Sequence, residues 1–85
     1  MNEYIELVKK WLADRDSVTQ QELENNCDAA YAGCLANAAA ADTNAVLYAA
    51  DYAYAGEDVN AEYWVNRYEE LQRIRKLMER SKAND

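Results

Sequence analysis

Thirteen of the 27 residues from Ala29 to Ala55 are alanine, and no other feature limits the fold as much. Alanine is the strongest helix former, but burying it yields little transfer free energy. A helix built from it gains stability by approaching its neighbours closely. Leu23, Cys27, Ala30, Cys34, Ala38, Ala41, Ala45, Tyr48, Tyr52 and Ala55 recur in steps of three and four. The mean step is close to the ~3.6-residue helical repeat. The phase runs on through Asp42-Thr43-Asn44, three weak helix formers in a row. The pattern therefore predicts one long helix over residues 20–55, straight or kinked at 42–44. The rival arrangement is a compact four-helix bundle in which Asp42 caps a new helix.

Both ends of this stretch carry stop and start signals. Thr19 and Glu22 have the spacing of a capping box, and Val18 and Leu23 that of a hydrophobic staple. Gly56 suits the residue just past a helix C-terminus, where the left-handed conformation is cheapest for glycine. Before the central helix, residues 3–14 read as a short helix with Tyr4, Ile5, Val8, Trp11 and Leu12 on its apolar side and Leu7 on the flank. After it, residues 59–80 read as a helix with Tyr63, Trp64, Tyr68, Leu71, Ile74 and Met78 on one side; residues 81–85 should fray. Its acids lie mostly early and its bases mostly late, which complements the helix dipole. The fold class is all-α: a short N-terminal helix, a long Ala-rich central helix and a C-terminal helix antiparallel to it, in one domain spanning residues 1–85.

An 85-residue chain has a thin stability margin. Phenylalanine is absent and 16 residues are alanine, so Trp11 and Trp64 are expected to anchor the core. The seam of Cys27, Ala30, Cys34, Ala38 and Ala41 is too small-sided to form a deep core alone, which predicts a homo-oligomer. Cys27 and Cys34, two turns apart on one helix face, stand ~10 Å apart, too far for a disulfide with each other. Free buried thiols suit a reducing compartment.

Charge and missing residue types exclude several function classes. The net charge is −7, and residues 16–66 carry nine acids and no Lys or Arg. Nonspecific DNA binding needs basic side chains against the phosphates, so none is expected. Acidic and amide residues interrupt every apolar stretch, so no membrane span is expected either. Histidine is absent, which removes His-based acid–base chemistry, Ser-His triads and His metal sites. With no glycine-rich phosphate loop, the chain reads as a non-enzyme with no cofactor and no metal.

What remains is surface. The acidic body suits a basic protein partner, and tyrosines supply adaptable contact area. The candidate partner-binding residues are Asp28, Tyr31, Asp42, Asp51 and Tyr54. Asp28 and Asp42 project from one flank of the predicted long helix, ~21 Å apart. Tyr48 and Tyr52 lie on the apolar stripe and read as core beneath the last helix. The basic residues Arg73, Arg75, Lys76 and Arg80 form an alternative anion-binding set.

The opening YIELVKKWLADRDSVTQQEL and the later YWVNRYEEL bracket an Ala/Tyr/Asp-rich middle. This combination resembles a family of small accessory proteins of large virulent tailed phages of enterobacteria, similar to T-even phages; residues 4–23 and 63–71 carry the likeness. The resemblance implies a phage protein acting in the cytoplasm of the infected bacterial host. It would bind a host protein, a defence or nucleic-acid-handling factor, and inhibit or redirect it. The alternative is an oligomeric small-molecule binder that sequesters a signalling nucleotide through the Arg/Lys set. A nucleic-acid mimic ranks below both, because nine acids in 51 residues are sparse beside duplex phosphates.

Overall fold

The computed structural model describes residues 2–34 and 41–83. Among these are four helices and no strand: α1 (Glu3–Ala13), α2 (Gln20–Cys34), α3 (Ala41–Tyr54) and α4 (Asp58–Ala83). The Asn2 side chain caps α1, accepting from the Tyr4 and Ile5 amides at 2.9 and 3.1 Å. Ile5, Val8 and Trp11 are buried, with Tyr4, Leu7 and Leu12 packed against them from the edge, as the apolar spacing predicts. A single 3-10 turn, Arg15–Ser17, leads to α2.

At the start of α2 the capping box is made in both directions. The Glu22 amide donates to Thr19 Oγ1 at 3.1 Å and the Thr19 amide donates to Glu22 Oε1 at 3.0 Å. These bonds hold the Glu22 carboxyl below its ordinary pKa. Val18 and Leu23, the staple pair, are both buried in the core.

The predicted single helix over residues 20–55 is two helices. Gln20 Nε2 donates to the Tyr54 carbonyl at 2.9 Å and Cys27 Sγ donates to Asp51 Oδ1 at 3.0 Å. The start of α2 thus lies beside the end of α3, and the pair runs antiparallel. No kink falls at 42–44: α3 continues through Asp42, Thr43 and Asn44 and runs back along α2. The physical reason is burial. A straight ~54 Å helix would leave one side thinly covered. Folding back sets Leu23, Cys27 and Ala30 of α2 in one cluster with Val46, Ala49, Ala50 and Ala53 of α3. An apolar stripe that keeps its phase cannot report a reversal, because alanine suits both sides of it.

The reversal also changes which residues of α3 face inward. Ala45, Val46, Ala49, Ala50 and Ala53 are buried, whereas Ala41, Tyr48 and Ala55 of the predicted stripe are exposed. The seam offered for self-association is accordingly occupied within the monomer at Cys27 and Ala30; the Cys34 and Ala38 side chains lie outside the described residues.

At Gly56 the chain turns with φ +79°. The Glu57 amide donates to the Tyr52 carbonyl at 2.8 Å and the Gly56 amide to the Ala53 carbonyl at 3.0 Å, the paired bonds of a Schellman cap. α4 then returns antiparallel to α3. Gln72 and Arg75 of α4 both reach the Asp42 carboxylate at 3.0 Å. Helix α1 runs antiparallel to α4, tied by Lys9–Glu69 at 3.1 Å and by Arg15–Asp58. The result is an up-down-up-down bundle.

In α4 the core-facing residues are Ala61 and Val65, with Trp64 and Tyr68 packed from the sides. Tyr63, Ile74 and Met78, expected on the apolar side, are exposed. Close approach to an alanine-lined α3 favours small Ala61 over bulky Tyr63. The helix, ~39 Å long, also outreaches the ~21 Å of α3. It extends past residue 80 into the segment expected to fray; residues 84 and 85 lie outside the described residues. Trp11 is the buried anchor, 5 % exposed, while Trp64 is only half-buried.

Candidate interaction surface

The α2–α3 pairing brings two side chains of α2 to one carboxylate of α3. Cys27 and Tyr31 are one turn apart and share a helix face, and both donate to Asp51: the thiol to Oδ1, the phenol to Oδ2. Burial, reinforced by the Asp51 carboxylate, pushes the Cys27 thiol up to about 12. The hydrogen bond to Asp51 pushes Tyr31 up to about 12. Both groups stay protonated at neutral pH, and a thiol so held is a poor nucleophile and a poor metal ligand.

Rings of α3 and α4 meet on the same bundle. Tyr48 of α3 lies within electrostatic reach of the Tyr31 hydroxyl. Its ring meets Trp64 of α4 at a centroid distance of 4.8 Å, and Tyr63 stands edge-on to Trp64 at 5.0 Å. Tyr31 and Tyr48 remain 41 and 44 % exposed. Tyr48 and Trp64 thus pair across α3 and α4, while Tyr31 is exposed on α2, which packs against α3. Asp28, exposed, and Glu24, half-buried, lie on α2 as well, three and seven residues before Tyr31. The helices forming this surface carry no Lys or Arg before Arg67.

The predicted partner-binding residues are distributed differently from the sequence reading. Asp28 is exposed on α2, and Tyr31 and Asp51 are joined by their hydrogen bond. Tyr54 is exposed in the last turn of α3, with its carbonyl accepting from Gln20. Asp42 sits at the opposite end of α3, its carboxylate held by Gln72 and Arg75. Asp28 and Asp42 therefore form no common flank; they stand on antiparallel helices, and Asp42 clasps α4. Tyr48 and Trp64 were not among the predicted contacts. Both read as core because their spacing matches the apolar stripe, and only the altered inward face of α3 reveals them.

The basic set does not converge. Arg73 and Lys76 border a cleft of about 390 Å³ between α1 and α4, but Glu6 and Glu69 line it too. Arg75 points to the other side, toward Asp42, and Arg80 is exposed farther along. Among the described residues no three Cys, Asp or Glu side chains gather as a metal site, and no helix is long and apolar enough to cross a membrane. The chain matches no protein-family model, no curated protein and no solved structure.

Proposed function

We propose that this protein is a non-enzymatic, stoichiometric binder of a basic protein partner. The observation that carries the reading is the exposed Tyr31 and Tyr48, with half-buried Trp64 stacked on Tyr48, acids beside them and no basic residue before Arg67 on the helices that carry them. Aromatic rings anchor protein interfaces, and their faces attract Lys and Arg side chains. The surrounding negative charge speeds encounter with a basic surface. The phage likeness of residues 4–23 and 63–71 adds the setting: the cytoplasm of an infected bacterium, with a host defence or nucleic-acid-handling protein inhibited or redirected.

The test compares variants for binding to a host partner recovered with the wild-type protein. Tyr48→Ala should mainly raise the off-rate. Asp28→Asn with Glu24→Gln should lower the on-rate, most visibly at low salt. Asp42 and Asp51 are unsuitable for this test because their carboxylates hold helices together. Binding that survives these changes but disappears with Arg73→Gln and Lys76→Gln would overturn the reading and favour an anionic ligand.

A further inference from the structure

Five of the exposed large apolar side chains lie on α4: Val59, Tyr63, Ile74, Leu77 and Met78, each between 44 and 74 % exposed. At ~100° per residue they fall in one sector roughly 100° wide, on the side of α4 turned away from the core residues Ala61 and Val65. Arg67 and Glu70 occupy the middle of the same sector, paired at 3.3 Å.

The spacing is that of a coiled-coil seam. Asn60, Arg67 and Ile74 recur every seven residues, and Tyr63, Glu70 and Leu77 interleave with them at the three-residue offset. The seam is also symmetric about the midpoint of the Arg67–Glu70 pair. Tyr63 and Ile74 are equally far from that midpoint, and so are Asn60 and Leu77, and Val59 and Met78.

We infer that this face of α4 docks a second copy of the chain in antiparallel orientation about a two-fold axis at Arg67–Glu70. In that register Tyr63 meets Ile74 of the other copy, Asn60 meets Leu77, and Arg67 meets Glu70, with Val59 on one flank of the seam and Met78 on the other. Charge selects the orientation. A parallel pairing would set Arg67 against Arg67 and Glu70 against Glu70, and like charges at a seam are strongly disfavoured. The contact uses the same patch on both copies, so assembly closes at two. It leaves the Tyr31–Tyr48 face open and does not depend on the partner proposed above.

The experiment is sedimentation equilibrium at micromolar concentration, with circular dichroism to confirm folding. The wild type should reach twice the 9.7 kDa chain mass. Arg67→Glu and Glu70→Arg, each alone, should weaken the dimer by at least about tenfold with helicity retained, since Glu70 is exposed and half-buried Arg67 pairs with it at the surface. The combined exchange Arg67→Glu with Glu70→Arg should restore it. A wild-type monomer, a dimer indifferent to the single reversals, or a mass that keeps growing beyond two chains would each overturn the inference.

Discussion

Replacing Trp11 should damage the protein far more than replacing Trp64, although both are tryptophans at apolar positions of amphipathic helices. Trp11 is 5 % exposed within the buried cluster of Ile5, Val8, Val18 and Leu23. Removing a buried Trp leaves a cavity and costs ~3–5 kcal/mol. The Arg15 guanidinium, 4.7 Å above the ring, adds roughly 0.5–1 kcal/mol at an exposed site. A domain of this size has a total stability of about 4–13 kcal/mol, so Trp11→Ala removes a large part of it. At ~4–8 °C per kcal/mol, the melting temperature should fall by ~12 °C or more. Trp64 packs its inner edge on the core and its outer edge on Tyr48 and Tyr63, so Trp64→Ala should cost roughly half as much. Thermal melts followed by circular dichroism at matched concentration provide the comparison. A Trp64→Ala protein less stable than Trp11→Ala would refute the placement of α1 and α4 around the core.

Thr19→Ala should cost ~1 kcal/mol, read as a lower urea midpoint, because the Glu22 amide loses its acceptor and the reciprocal bond from Thr19 loses its geometry. Alkali should destabilise the fold in a defined window. The folded pKa values of Cys27 and Tyr31 are raised to about 12 from 9.0 and 10.0, so their contribution is complete below pH 9.0 and is lost as pH rises toward 12. Urea midpoints measured across that range should fall, and Cys27→Ala should delay the onset; a flat profile would contradict the Asp51 node. On the acid side, Glu22 and Asp58 sit below their ordinary values of 4.5 and 3.8. Their contributions are present above those values and are lost as pH falls below them.

Much of the fold is legible in the sequence because several signals are local. The Thr19–Glu22 box, the Val18–Leu23 staple and Gly56 each fix a helix end through side-chain or backbone geometry that neighbouring residues determine. Trp11, Val8 and Ile5 reveal the buried face of α1 because large apolar residues there alternate with charged ones. Residues 29–55 resist the same reading. Ala29, Ala32 and Ala41 are exposed while Ala30, Ala45, Ala49, Ala50 and Ala53 are buried, so an alanine in the sequence does not by itself tell an inward position from an outward one. The candidate site inherits that ambiguity. Tyr31 could be recognised as surface from its position off the stripe, whereas Tyr48 lies on the stripe and is exposed only because α3 is rotated and reversed. Asp42 and Asp51 looked like free surface charge; their partners Gln72, Arg75, Cys27 and Tyr31 come from other helices, which no local pattern predicts.

The aromatic surface depends on α2 and α3 lying side by side, and one distance measures that directly. Nitroxide labels at Gln20 and Tyr54, in a protein with Cys27 and Cys34 replaced by alanine, can be read by electron–electron dipolar spectroscopy. The hairpin, in which the two residues are joined by a 2.9 Å hydrogen bond, predicts roughly 10–20 Å once label arms are added to the interhelical spacing. A distribution centred near ~51 Å, the span of 34 residues of continuous helix, would contradict it.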